Sequence, residues 1–327
     1  MVCSEIKFSP DVTLFCKGIA ILMLLFHHLF MAHNVETYPL WMSALARRMG
    51  LCVPIFLVLS GYGLYKSRRI TFKEIVSYRL PKLLINYWVV AAVFIGITML
   101  FCGVSFHDAY PIGSEWRFGL QMLGMNLLPG GPRGFNPTWW FMNAIIPLYL
   151  MFPLLYWIVC RNAVLALLFV ITIAHVPILS AEQCIVPFAV GIIAAHHNLF
   201  ERVLWDFNHR KAVLLTSILC VLGMVFMASH HNGGGYGAFA VIAMFVLHAH
   251  LPNAIKVCVE YLGKHSMNMF LCHTFFLRYF LVDHLTGKFC PFLAFVLLLA
   301  ASLVSSIVIE RLKQLLGITM VIKVLRK

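Results

Sequence analysis

Apolar runs of about twenty residues recur from one end of this chain to the other, and no other feature limits its fold as much. A helix that crosses a bilayer needs about 20 apolar residues. Runs of this kind fall near 12–33, 49–65, 83–104, 137–159, 163–179, 184–199, 212–228, 237–252, 264–284 and 290–309. Lipid offers no partner to backbone polar groups, so each run must be a helix whose amides bond within the segment. The predicted fold is all-α: a polytopic transmembrane bundle of about ten spanning helices, forming a single domain over residues 1–327. Composition closes the alternatives. Only 11% of the 327 residues are charged and 61% are apolar, too few charges to cover a water-facing surface. A soluble enzyme, a secreted disulfide scaffold and a disordered tail are excluded.

The net charge of +13 fits a membrane topology better than nucleic-acid binding, because Lys and Arg collect on the cytoplasmic side of spanning helices. Ten spans with a cytoplasmic N-terminus put 18 cations inside and 6 outside, the latter being Arg47, Arg48, Arg117, Arg133, Arg278 and Lys288. Both termini are then cytoplasmic, as in a bacterial inner-membrane protein. The first run follows the polar start SEIKFSPD and reads as a retained helix rather than a cleaved signal. The ten cysteines are scattered singly, with no CxxC pair, and no HxxxH pair lies near a carboxylate. No metal site is expected.

Two connections stand out. The inner stretch KSRRITFKEIVSYRLPK interleaves six cations with Ile70, Phe72, Ile75 and Val76, the pattern of a short helix on the membrane surface. The outer stretch 105–136 is Gly- and Pro-rich and leads into Trp139–Trp140. Those tryptophans suit an interfacial aromatic belt.

Ionisable residues inside a span are costly and mark functional sites. Lys17 and His28 are 11 residues apart in the first run. At 100° per residue they share a helix face, separated by roughly 16 Å of rise, while His27 points about 100° away. Lys17 could hold a donor phosphate near the cytoplasmic end and His28 could move a proton at the acceptor. Alternatively Lys17 snorkels to the surface and His28 bonds a neighbouring helix; spacing leaves both open. Ser60-Gly61-Tyr62 lies in an apolar helix, where small residues permit close contact; a serine nucleophile paired with His273 is the weaker alternative. Arg79 and Lys82 share a face at i, i+3 spacing. They suit a nucleotide phosphate or plain membrane anchoring. Glu182, His196–His197, His230–His231 and His248/His250 fall at the ends of spans and read as interfacial.

In order along the chain, these pieces resemble the acyltransferase-3 family of integral-membrane O-acyltransferases. Lys17 and His28 match its basic residue, ten residues, histidine pattern. FLVLSGYGL resembles its FFhLSGF/Y segment, and Arg79 with Lys82 its basic pair before the third helix. Trp139-Trp140-Phe141 followed by PLYLMFPLL is similar to its WFL…LY…PLL span, and LGKHSMNMFLCH to its LGK-S-x-x-hYLhH ending. The resemblance implies a bundle of about ten helices, without the SGNH-type esterase domain that some members append. It implies transfer of an acetyl group from acetyl-CoA, bound only as donor substrate, to a hydroxyl of a cell-envelope saccharide. It further implies His28 and Lys17 as catalytic, Arg79 and Lys82 as donor-binding, and Ser60, Tyr62, Trp139, Trp140 and His273 as acceptor-binding. One departure is clear. The larger sugar-modifying subgroup carries a glutamate in the span after the long outer connection, and here no carboxylate lies between Glu115 and Glu182. The partner that orients His28 is therefore not identified by sequence. A transporter of a saccharide or lipid-linked sugar, and a structural subunit of an envelope assembly, are the rival classes.

Overall fold

A computed structural model describes residues 8–32, 39–67, 71–126, 131, 134–174, 182–206, 237–280 and 290–324. The chain is a helical membrane bundle. Its main helices are α1 (Pro10–Ala32), α2 (Leu40–Met49), α3 (Cys52–Lys66), α4 (Leu80–Cys102), α5 (Trp140–Arg161) and α6 (Ala163–Ala174). They continue with α7 (Glu182–His196), α8 (Leu199–Asp206), α9 (Gly237–His250), α10 (Asn253–Phe275), α11 (Pro291–Leu315) and α12 (Ile318–Val324).

Among the described residues, five stretches are long and apolar enough to cross a membrane: Pro10–Met31, Leu40–Lys66, Phe72–Cys102, Pro137–Arg161 and Pro291–Leu315. The sequence suggested about ten. The described parts of α6, α7 and α9 are 12, 15 and 14 residues long, and each borders residues outside the described ones. Helix α10 is 23 residues long, but Lys256, Glu260 and Lys264 dilute its apolar character. The run at 212–228 lies outside the described residues.

Helix α1 is the hub of the bundle. Phe15, Cys16, Ala20, Ile21, Leu24, Leu25 and Leu29 are all fully buried, and it touches α10 most extensively, then α2, α3, α9 and α11. Helix–helix association in lipid depends on close packing rather than hydrophobic exclusion, and two crossings show how the chain achieves it. A Cβ at Gly18 would sit 2.0 Å from the Val259 carbonyl oxygen, and one at Gly263 would sit 1.8 Å from that of Leu14. Only glycine lets α1 and α10 meet so closely. Gly61 on α3 and Gly191 on α7 repeat the device: a Cβ on either would sit 2.1 Å from a carbonyl oxygen of the other helix.

The basic inner stretch is helical from Phe72 onward. Thr71 caps the turn Phe72–Glu74 with a capping box, a π-helical turn covers Ile75–Arg79, and α4 follows without a break. Phe72 and Val76 are exposed while Ile75 is fully buried. The stretch therefore extends the third span inward instead of forming a separate surface helix. On the outer connection, Ser105 caps a short turn, and its backbone and hydroxyl bonds hold the Asp108 carboxyl below its usual range.

Candidate functional site

The ends of α1, α4, α10 and α11 enclose a cavity of ≈ 520 Å³, within the size range of small-molecule sites. Lys17, Arg79, Lys82, Lys264 and Lys313 line it, with one carboxylate, Glu310. Asn86, Tyr149 and Asn268 supply neutral polar groups, and Thr319 and Ile322 of α12 close one side. Three cations singled out in the sequence, Lys17, Arg79 and Lys82, thus meet in one place. Lys17 and Lys82 lie within electrostatic reach of each other, and the Arg79 Nε is buried with no acceptor among the described residues. A buried donor without a partner is costly. Five cations face one carboxylate, so the cavity carries an excess of positive charge. The π-helical turn that ends at Arg79 widens the helix there, as such turns often do at functional sites.

Four residues of the wall close a ring of hydrogen bonds. Asn86 donates to Asn268 at 2.9 Å, and Asn268 donates to Glu310 at 2.8 Å. Lys313 donates to both Glu310 and Asn86. The ring ties α4, α10 and α11 together around the cavity. Sequence reading missed it because the partners are far apart in the chain. The only local signal was the i, i+3 pair Glu310–Lys313.

Further along α1, away from the cavity, three histidines gather. The rings of His27 and His28 are 5.0 Å apart, and those of His28 and His273 are 4.9 Å apart. His27 is bonded to the Ala46 carbonyl at 2.7 Å and so faces α2. His28 faces α10, on which His273 is completely buried. The structure thus brings His28 together with His273, a pairing that spacing could not reveal.

The remaining predicted residues are not gathered at one point. Ser60 lies near Tyr149 of the cavity wall but does not itself line the cavity. Tyr62 donates to Glu201 at 2.8 Å and stacks on Phe200, which fastens α8 to α3 outside the cavity. Trp139 is buried and donates to the Leu271 carbonyl at 3.1 Å. Trp140 is 44% exposed and points away from the bundle. Of the histidines read as interfacial, His196 bonds Tyr65 and His248 bonds Glu260; His230–His231 lie outside the described residues. Among the described residues no three His, Cys, Asp or Glu side chains group as a metal site requires.

The family model described as an acyltransferase domain matches residues 15–311. No curated protein and no solved structure matches the chain. The matched range contains Lys17, His28, Arg79, Lys82, His273 and Glu310 but ends before Lys313 and the two α12 residues of the cavity wall.

Proposed function

The chain belongs to the acyltransferase-3 family and is a membrane acyltransferase, and we propose that it moves an acetyl group from cytoplasmic acetyl-CoA to a hydroxyl of a cell-envelope saccharide or its precursor. The observation that carries this reading is the arrangement along α1. Lys17 opens into a cavity of five cations, and His28, roughly 16 Å further along the same helix, meets His273. That separation suits a donor whose phosphates and thioester are joined by a long flexible arm.

In this reading Lys17, Arg79, Lys82, Lys264 and Lys313 hold the phosphates by charge-assisted hydrogen bonds. The acceptor hydroxyl oxygen attacks the thioester carbonyl carbon, the carbon–sulfur bond breaks, and the thiolate leaves. The hydroxyl proton passes to His28 and then to the sulfur, so an ester and a free thiol form with no net proton change. Trp139 and His273 stand on the acceptor side. The orientation follows from the charge split: the cavity end of α1 faces the cytoplasm, in a bacterial inner membrane with about ten spans.

The test is direct. Purified protein is given acetyl-CoA labelled in the acetyl group, with envelope saccharide as acceptor. Label should appear in the saccharide as an alkali-labile ester, with release of one thiol per ester. Absence of both, from folded protein, sinks the reading.

A further inference from the structure

The turn that leads from the outer connection into α5 is bonded to α10 beside the histidine pair. Asn136 Nδ2 and Trp139 Nε1 both donate to the Leu271 carbonyl, at 3.0 and 3.1 Å. The Thr138 hydroxyl donates to Asn136 Oδ1 at 2.7 Å. Its oxygen lies 3.0 Å from the Thr274 hydroxyl, which lies 3.1 Å from His273 Nε2. At the other edge of that imidazole, Nδ1 is 2.8 Å from the Phe270 carbonyl oxygen. Asn136, Thr138, His273 and Thr274 are all buried.

Donor and acceptor counting fixes the hydrogens. A carbonyl oxygen only accepts, so His273 Nδ1 carries a hydrogen and the lone pair of the neutral ring sits on Nε2. Asn136 Oδ1 already accepts the Thr138 backbone N–H at 2.9 Å, so the Thr138 hydroxyl hydrogen is free to turn to Thr274. In that arrangement Thr274 accepts from Thr138 and donates to His273 Nε2. With both hydroxyls reversed, Thr138 donates to Asn136, Thr274 donates to Thr138, and Thr274 accepts from a protonated Nε2. Either way no heavy atom has to move. A ring held at both edges in this way has one tautomer and one orientation, and it faces His28 at 4.9 Å.

We propose that His273, fixed by the Asn136–Thr138–Thr274 hydroxyl chain, is the positioning residue that orients His28 for acyl transfer. Both His273 nitrogens are engaged by Phe270 and Thr274, so His273 holds His28 by ring contact at 4.9 Å. It also couples the outer connection to the reacting centre, because the chain begins in the turn where that connection ends. The proposal rests on the reading of His28 as the base.

Two measurements test it. The first compares kcat and KM of purified Thr274→Val and Thr274→Ser proteins. Valine keeps the shape and removes the hydroxyl, so kcat should fall about ten- to a hundredfold with KM for acetyl-CoA unchanged. Serine keeps the hydroxyl and should restore most of the rate. Equal rates in the two variants, or a loss confined to KM, overturn the proposal. The second is independent of activity: nitrogen NMR of histidine-labelled protein, with the His273 signals assigned from their loss in His273→Gln. Wild type should show a protonated Nδ1 and a lone pair on Nε2, and Thr274→Val should show a mixture of tautomers. A mixture already present in wild type overturns the proposal even if acetyl transfer is intact. Failure of acetyl transfer with the single tautomer present instead faults the assigned reaction.

Discussion

His28 on α1 and His273 on α10 bring their rings to 4.9 Å at a tilt of 42°, although neighbouring His27 turns to the Ala46 carbonyl. The two adjacent histidines of α1 thus face different helices, and single substitutions should separate their effects. His28→Ala is expected to lower the rate by about 10²–10⁴-fold, the usual loss when a general base is removed, with a near-normal unfolding temperature. His27→Ala breaks one hydrogen bond between α1 and α2, at a cost of about 1 kcal/mol. It should lower the unfolding temperature while retaining most of the rate. Rates and thermal melts of both purified variants decide the matter; the reverse pattern would make His27 the base.

The cavity cations should act on the donor, not the acceptor. Each of Arg79→Ala and Lys82→Ala removes a charge-assisted contact worth about 1.5–3 kcal/mol, so acetyl-CoA should bind more weakly while the KM for saccharide stays constant. Raising the salt concentration should narrow the difference between wild type and Lys82→Ala, because Lys82 is exposed and screened. Titration of acetyl-CoA into each protein at two ionic strengths measures both effects. An unchanged affinity would reduce these residues to membrane anchors.

Much of this site was legible in the sequence because its parts lie on one helix or one short segment. Lys17 and His28 share a face by simple angular arithmetic, and Arg79 with Lys82 are three residues apart; in the structure Lys17, Arg79 and Lys82 line one cavity and His28 meets His273. What joins segments distant in the chain was not legible. The Asn86–Asn268–Glu310–Lys313 ring and the His28–His273 contact depend on how α1, α4, α10 and α11 cross, which no local spacing encodes. Tyr62 stands apart from the cavity. Its segment looked like a binding motif, yet Gly61 serves a helix crossing and Tyr62 bonds Glu201. The described residues match the span count only in part, and helices such as α10 carry charges into the bundle.

The segment containing Ser60 offers a control for that interpretation. A methyl group at Gly61 would lie 2.1 Å from the Phe188 backbone oxygen, whereas one at Gly63 meets nothing within 4 Å. Gly61→Ala should therefore force α3 and α7 apart and destabilise the protein by about 1–3 kcal/mol. Gly63→Ala should be neutral or gain up to about 1 kcal/mol from helix propensity. Unfolding midpoints in one detergent compare the two. Equal stability would mean that α3 and α7 do not cross this closely.

Topology is open to an independent check. With 18 cations assigned inward and 6 outward, the segment after Lys66 should face the cytoplasm together with both chain termini. A cytoplasm-active reporter inserted after Ser67 should function, and a periplasm-active one should not. The opposite result would put the cationic cavity on the wrong side for acetyl-CoA.

The last prediction concerns the one negative charge in the cavity. Glu310 accepts from Lys313 and Asn268, so it neutralises part of the field that an incoming phosphate would feel. Glutamine at this position keeps an oxygen to accept from both partners, and the ring of hydrogen bonds can close as before. What changes is charge. Lys313 is released from its ion pair, and the repulsion between Glu310 and the donor's phosphates disappears. Glu310→Gln should therefore bind acetyl-CoA more tightly, by roughly two- to tenfold, equivalent to at most about 1.4 kcal/mol. Product CoA carries the same phosphates and should be held more tightly by the same factor, so turnover should slow at saturating donor if release limits the rate. Calorimetric titration with CoA measures the affinity directly. Weaker binding by Glu310→Gln, with stability preserved, would show that the carboxylate takes part in holding the donor instead of opposing it.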